Sequence, residues 1–442
     1  MKRAVAVLAI GLTVGVAASC GIKHLVSYTG QDVPVQSQLN YTYAVVSSNP
    51  QHYRNTLYLD HFLPSSYKDS GVLFENGRHE MTLDTGFKGK KEREVAIRLK
   101  IGDSLTETVI RFIRRITPGH LSRKKKPRVL VIGDSVTSGY GSGSNKSESW
   151  KANQYWAYAK MFFEVEKIDN GDKPDEYNAV FLGSRSNGGF TLHHNDVERP
   201  VKAMAEGYGG ASLEQLFEPV FGNAGEKNRF YDSTTGTFSV RSYLSKYRTM
   251  DDEGVRLISS SSNPSGERVI GSDGKEYVIG IEISSQAQLQ TVDVCTPSII
   301  VLNLCHNTSL ENYKKNIGKV VETVHRELPE TKIVIMTIDE AGTLFPEDYP
   351  EYKVDKPLYG GLHDKNTAIY NYVKENLENE KEGVYLFGAQ FVMPTMEGLP
   401  TIENNGVYVS NPSVLGPGYH PNNKVHEAWG YALYAMIKWI IS

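Results

Sequence analysis

Cysteine is scarce in this chain of 442 residues, which has only Cys20, Cys295 and Cys305. Cys295 and Cys305 flank the apolar run 298–304, which is typical of a buried strand and would hold their ends about 30 Å apart. A disulfide needs Cα atoms within about 7 Å, so these two residues are predicted not to pair. The sequence therefore excludes a fold stapled by disulfides, and Cys305 is expected to be a buried core thiol rather than a nucleophile.

The chain also lacks an excess of charge of either sign, since its formal net charge is −3 at pH 7. A charge this close to zero gives no support for nucleic-acid binding or for steering of ligands by a field of the whole molecule. Any binding partner must therefore be inferred from individual sites.

No hydrophobic run near the amino terminus is long enough to span a bilayer comfortably, because the apolar stretch 4–18 is short. It follows Lys2 and Arg3 and precedes small residues, which is typical of an export signal. Residues 17–20 resemble a bacterial lipobox and predict a lipid anchor at Cys20, with ordinary signal-peptidase cleavage as the alternative. We expect an exported protein, periplasmic or on the bacterial cell surface, that meets the membrane only through this anchor.

Composition shifts along the chain predict two domains after the signal peptide 1–20. Residues 21–40 are polar and suit a tether, and residues 41–118 contain only strand-like patterns, which predicts a small β-sandwich or jelly roll. The basic, proline-ended stretch within 119–127 is typical of a solvated linker.

The segment 128–442 alternates apolar strands with helical patterns, which predicts a parallel sheet covered by helices on both faces. The connection between its second and third strands is too long for a simple crossover, so an insertion at about 184–296 is expected to wall the site. The predicted strands are 128–132, 178–182, 298–304, 332–337 and 383–387, and the predicted helices are 150–164, 309–328, 364–379 and 424–440.

Chemistry-bearing residues follow several of these strands. Ser135 comes directly after the first strand in the motif Gly133-Asp134-Ser135, and the paired glycines 209–210, then His306-Asn307, then His420 come after later strands. Because ligands bind at the carboxyl edge of such sheets, we expect these groups to meet there. A serine hydroxyl needs a nearby imidazole to accept its proton, and the oxyanion formed on attack needs preorganised donors.

This order of motifs resembles that of the SGNH/GDSL hydrolase superfamily over about residues 128–442. The resemblance implies a flavodoxin-like, doubly wound, five-stranded parallel sheet. It also implies Ser135 as nucleophile, His420 as catalytic base, and an oxyanion hole made by the backbone N–H groups of Ser135 and Gly210 and the side-chain amide of Asn307. His306 is a candidate for substrate contact beside Asn307.

Two departures from the family pattern concern the base and the third motif. Pro417 stands where an aspartate should precede His420, and no aspartate follows Asp364. A backbone carbonyl from 414–418 could orient His420 instead, with Glu403 or Glu427 as alternatives. Around Asn307, a cysteine and a threonine replace the glycine and aspartate of the family motif, at positions 305 and 308.

The resemblance implies an exported serine esterase that hydrolyses O-acyl esters, in particular O-acetyl esters on carbohydrate, without a cofactor. The β-rich segment ahead of the α/β domain is similar to the layout of some carbohydrate esterases. The alternatives are a lysophospholipase or thioesterase of the same superfamily, and a catalytically inactive glycan-binding surface lipoprotein. No metal is expected, because His193, His194 and Asp196 have no further ligand at a suitable spacing.

Overall fold

In the computed structural model, backbone and side chains are described for the greater part of the carboxyl-terminal two thirds of the chain. Elsewhere only the backbone of individual strands and helices is described. The fully described residues are 127–139, 154–169, 171, 179–185, 191–201, 203–244, 296–338, 365–392, 420–421 and 423–441. The segment 1–20 with Cys20, which is predicted to be a signal peptide, the predicted tether 21–40 and Cys295 lie outside the described residues.

The chain divides into two compact units, Met1–Thr117 and Pro118–Ser442. In the first unit, Arg93–Ile101 pairs antiparallel with Ser104–Phe112, in the part of the chain for which strand-like patterns are predicted. The strands of this unit form one three-stranded and two two-stranded sheets, so the sandwich or jelly roll remains a prediction. The other strands are Val45–Val46, Thr56–Tyr58, Leu73–Phe74, Glu80–Thr82 and Arg115–Ile116.

The second unit is built on a seven-stranded sheet with helices packed against it. Its strands are β1 (Arg128–Gly133), β2 (Val180–Leu182), β3 (Arg185–Ser186), β4 (Met204–Gly207), β5 (Ile299–Asn303), β6 (Lys332–Thr337) and β7 (Val384–Gly388). Its helices are α1 (Tyr155–Asp169), α2 (Val240–Ser245), α3 (Leu310–Glu327), α4 (Leu358–Asn376) and α5 (Asn423–Ile441). All five predicted strands are present, as are the four predicted helices.

Six of the seven strands run parallel, and the five predicted strands among them follow the order β2-β1-β5-β6-β7. This order is the flavodoxin-like one, in which the chain reverses direction across the sheet beside the first strand. Strands β1, β5 and β6 are buried almost throughout, which explains their continuous apolar sequences. The site expected at the carboxyl edge therefore lies where β1 ends.

The sheet has two strands more than the five predicted, because β4 pairs parallel with β1 and antiparallel with β3. Both extra strands belong to the stretch that the sequence assigns to the insertion. The β4 strand contains Glu206, which is fully buried and accepts hydrogen bonds from Ser184, Tyr208 and Tyr243. A buried carboxylate in a four-residue strand breaks the apolar pattern on which the prediction depends.

The remaining elements of the second unit are short, and among the described residues no helix has the length and apolarity needed to cross a membrane. Two short 3-10 helices are Glu214–Phe217 and Ala389–Val392. The paired strands outside the central sheet are Phe190–His194 with Val197–Val201, Val220–Phe221 with Glu226–Lys227, Tyr231–Asp232 with Thr237–Phe238, Arg248–Asp251 with Gly254–Ile258 and Leu289–Thr291, Glu267–Ile270 with Glu276–Ile279, and Thr401–Asn404 with Val407–Ser410.

Candidate active site

Ser135 lies in a tight turn directly after β1. The turn is closed by the Ser138 N–H, which donates to the Asp134 carbonyl over 2.9 Å, and by the Val136 N–H, which donates to Asp134 Oδ1 over 2.9 Å. A side chain at Gly133 would not fit, because a Cβ there would lie 2.0 Å from Thr137 Oγ1. Ser135 is only 7% exposed, so the turn holds this residue largely shielded from solvent.

His420 meets Ser135 across 285 positions of the chain, with its Nε2 atom 2.8 Å from Ser135 Oγ. This distance is within the 2.6–3.2 Å that a general base needs to accept a proton directly. The imidazole is half-buried and lies on the segment that leads into α5. The two groups that the sequence pairs as nucleophile and base are thus in hydrogen-bonding contact.

The amino terminus of α1 clamps the serine turn through Thr137. Trp156 Nε1 donates to the Thr137 carbonyl over 2.8 Å, and the Tyr155 hydroxyl lies 2.9 Å from Thr137 Oγ1. Asn303 Nδ2 donates to both hydroxyls over 3.3 Å. Burial raises the pKa of Tyr155, so its hydroxyl stays protonated. No sequence motif points to these residues, since Asn303 comes beside the serine turn only when β1 pairs with β5.

Asp134 is a fully buried carboxylic acid one residue before Ser135. Burial raises its pKa to about 7, against the opposing effects of backbone N–H groups and the Lys365 ammonium. Among the described residues its Oδ2 atom has no hydrogen-bond partner. The carboxyl group holds the turn through Oδ1, which accepts the Val136 N–H, so its role is structural.

Gly210 lies in the segment that follows β4, beside the serine turn. The Tyr208 N–H donates to the Gly133 carbonyl over 3.0 Å, which joins this segment to the end of β1. Gly210 has φ +73°, and a Cβ added there would lie 2.1 Å from the Asn223 side chain. Both the backbone conformation and the close neighbour require glycine at this position.

Asn307 follows β5 in the turn before α3, and its side chain reaches the same segment. Its Nδ2 atom donates to the Ala211 carbonyl over 3.1 Å, and an amide nitrogen carries two hydrogens, so one remains for a substrate. The His306 and His420 rings lie 6.4 Å apart between centroids. The structure thus brings Gly210, Asn307 and His306 to the edge at which Ser135 and His420 meet.

The group that orients the His420 ring has three candidates in the sequence. Residues 414–418, whose carbonyls are the first candidate, lie outside the described residues, and so does the Glu403 side chain. Glu427 lies on α5, in the second turn. A Ser-His dyad held by a carbonyl therefore remains a prediction.

Asn223 is a candidate functional residue that the sequence reasoning missed. It is exposed at the tip of the hairpin Val220–Lys227, and its N–H donates to the Gly209 carbonyl over 2.8 Å. Its side chain packs against Gly210. Gly222 and Gly225 bracket the tip with positive φ angles, a turn signal that could have located the hairpin but not its neighbour.

Cys305 is a free, fully buried thiol, as predicted. Burial raises its pKa to about 12, so the nucleophilic thiolate does not form near neutral pH.

Within the described ranges no cluster of side chains has a metal-binding arrangement. His194, one of the adjacent histidines, has its Nε2 atom 2.6 Å from Asp169 Oδ1.

Comparison with known proteins found no matching family model and no matching curated protein. Several solved structures resemble the chain at low similarity. A family 3 carbohydrate esterase from Clostridium thermocellum is 11% identical over 72% of this chain and 100% of its own, with a TM-score of 0.33. An acetyl esterase crystallised with acetate ion is 11% identical over 71% and 98%, with a TM-score of 0.35. A family two carbohydrate esterase from Cellvibrio japonicus is 13% identical over 76% and 67%, with a TM-score of 0.30. Because these TM-scores are low, no property of these esterases is assigned to this chain on the basis of their similarity.

Proposed function

We propose that the protein is a serine esterase that hydrolyses O-acyl esters, in particular O-acetyl esters on carbohydrate. The observation that carries the proposal is the 2.8 Å contact between Ser135 Oγ and His420 Nε2. It lies at the carboxyl edge of a parallel sheet, which is where open α/β folds bind their ligands. A buried serine in direct contact with an imidazole is the minimum arrangement for nucleophilic acyl transfer.

In the proposed reaction, Ser135 Oγ attacks the ester carbonyl while His420 Nε2 accepts the hydroxyl proton. The tetrahedral intermediate collapses as His420 donates this proton to the leaving alcohol, which leaves an acyl group on Ser135. His420 then takes a proton from a water molecule that attacks the acyl-enzyme, and it returns this proton to Ser135 Oγ as the serine–acyl bond breaks and the acid is released. The Ser135 and Gly210 N–H groups and the Asn307 amide would hold the oxyanion in both steps.

The His420 imidazole must hold its Nδ1 proton on an acceptor for this reaction, so that Nε2 remains free to accept. In serine hydrolases with an aspartate in this role, its replacement by asparagine lowers kcat by about 10,000-fold. We assign the role to a backbone carbonyl of 414–418, because Pro417 occupies the position of the expected aspartate.

The carbohydrate substrate and the exported location rest on the sequence. The carbohydrate proposal follows from the β-rich segment ahead of the α/β domain. The location follows from the signal-like segment 1–20 and the lipid anchor proposed at Cys20.

The reaction is tested by acetate release from a panel of acetylated mono- and oligosaccharides, with long-chain p-nitrophenyl esters as comparison. We expect the wild type to release acetate and Ser135→Ala to lose at least about 1,000-fold in rate. Ser298→Ala is a matched control, because Ser298 bonds to Arg128 at the opposite edge of the sheet. It should retain wild-type activity.

Three results would contradict parts of the proposal. No ester hydrolysis by the wild type would favour the inactive glycan-binding alternative, for which Pro417 is the main support. Faster hydrolysis of long-chain esters than of acetyl esters would favour the lysophospholipase or thioesterase. Equal rates for wild type and Ser135→Ala would remove Ser135 from the mechanism.

A further inference from the structure

Besides the Ser135 N–H, the proposed oxyanion hole has two donors, the Gly210 backbone N–H and the Asn307 side-chain amide, which lie on separate segments of the chain. We call residues 208–213, which follow β4, the glycine segment, and residues 304–308, which follow β5, the asparagine turn. Gly210 belongs to the first and Asn307 to the second. Each must be held at a fixed distance from the substrate carbonyl, so their relative position matters for catalysis.

Hydrogen bonds join the glycine segment to the asparagine turn directly. Asn307 Nδ2 donates to the Ala211 carbonyl over 3.1 Å. The Leu213 N–H donates to Thr308 Oγ1 over 2.8 Å. Just beyond them, Asn312 Nδ2 donates to Glu214 Oε1 over 3.1 Å.

The Thr308 hydroxyl is the buried member of this set. Thr308 is 1% exposed, and its hydroxyl accepts from Leu213 and donates to the Leu304 carbonyl over 2.7 Å. A single hydroxyl thus satisfies one backbone group in each segment, and both of these groups are buried away from water.

We propose that Thr308 is a positioning residue that holds the two halves of the oxyanion hole in register. The proposal rests on the proposed function, and it gives a role to a threonine that stands where the resembling family has an aspartate. The hydroxyl is buried, so in this proposal it acts through the placement of Gly210 and Asn307.

Replacing Thr308 by valine removes the hydroxyl but keeps the shape of the side chain, so it separates the role of the hydroxyl from that of side-chain packing. In Thr308→Val the Leu213 N–H is left buried without an acceptor, so the glycine segment is driven to shift toward another partner. Oxyanion donors act only within about 2.7–3.1 Å of the developing charge. A shift of this kind weakens an interaction made in the transition state, which lowers kcat and leaves KM nearly unchanged.

The experiment measures kcat and KM for acetate release by the full-length chain and three single variants. We expect Thr308→Val to lower kcat by about 10- to 100-fold, with KM within about twofold of wild type. Thr308→Ser keeps the hydroxyl and should restore most of kcat. Thr331→Val is the matched control, because the buried Thr331 hydroxyl donates to the Pro297 carbonyl over 2.7 Å at the opposite edge of the sheet.

A double-mutant cycle with Asn307→Ala tests whether Thr308 acts through the oxyanion donors. If Thr308→Val already misplaces Asn307, the second substitution must cost less in this background than in the wild type. Thermal unfolding is followed for each variant, and Thr308→Ala replaces Thr308→Val if the latter does not fold.

The inference is overturned if Thr308→Val retains wild-type kcat, if Thr308→Ser is as impaired as Thr308→Val, or if the two substitutions in the cycle are additive. In those cases an active wild type leaves the proposed function intact. An inactive wild type overturns the proposed function, and the role of Thr308 with it.

Discussion

Replacing Asp134 by asparagine should stabilise the folded protein by an amount that grows with pH. Burial raises the pKa of the Asp134 carboxyl from 3.8 to about 7, so the folded state binds this proton more tightly than the unfolded state. The stability that this proton contributes is fully present below about pH 4 and is lost as pH rises through 7. Asparagine has no such proton to lose, and its carbonyl can still accept the Val136 N–H.

The expected size follows from the shift of the Asp134 pKa. A rise from 3.8 to about 7 at about 1.4 kcal/mol per pKa unit corresponds to about 4 kcal/mol at pH 8. The wild type should thus lose up to this amount relative to Asp134→Asn between pH 4 and pH 8. Unfolding in urea, followed by tryptophan fluorescence, measures it selectively, because all four tryptophans belong to the second unit.

Asp232→Asn is a control of opposite sign. Asp232 is half-buried at the end of the strand Tyr231–Asp232, where the backbone N–H of Thr234 lowers its pKa, so its replacement should destabilise the protein above pH 4. The reasoning about Asp134 would be refuted if the difference in unfolding free energy between wild type and Asp134→Asn did not change from pH 4 to pH 8.

Two further substitutions have definite expected outcomes. Gly210→Ala should lower kcat by about 100-fold or more, because its Cβ would lie 2.1 Å from the Asn223 side chain; adding Asn223→Gly should recover part of this loss. Gly236→Ala, at a similar φ with only the Tyr231 hydroxyl within 4 Å, should leave kcat unchanged, and equal losses in both glycine variants would contradict this explanation. Tyr158→Phe removes the 2.6 Å bond to Asn423 that joins α1 to α5 and should lower the free energy of unfolding by about 1 kcal/mol; urea titration measures it, and an unchanged midpoint would argue against the bond.

Much of the central sheet could be predicted because its strands are buried on both faces. Such strands have continuous apolar sequences. The predicted strand 332–337, for example, has the same bounds as β6. The β4 strand could not be predicted in this way, since Glu206 interrupts the apolar pattern and two of its hydrogen-bond donors, Ser184 and Tyr243, come from other segments of the chain. Tertiary contacts therefore decided the width of the sheet.

The site was predictable where chemistry requires particular residue types at strand ends. Ser135 and His420 meet within hydrogen-bonding distance, which the shared carboxyl edge of the strands leads one to expect. The supporting residues were not predictable. Thr137, Asn303 and Thr308 are ordinary polar residues in sequence, and their roles follow from which backbone groups the folded chain brings beside them.

The central claim is that His420 activates Ser135 as a nucleophile, and covalent labelling with a fluorophosphonate tests it most directly. Peptide mapping by mass spectrometry should find one adduct, on Ser135, in the wild type. His420→Ala should fold and label at least about 100-fold more slowly, because the hydroxyl then lacks its base. Absence of any adduct on Ser135 in the folded wild type, or equal labelling rates with and without the His420 imidazole, would contradict the claim.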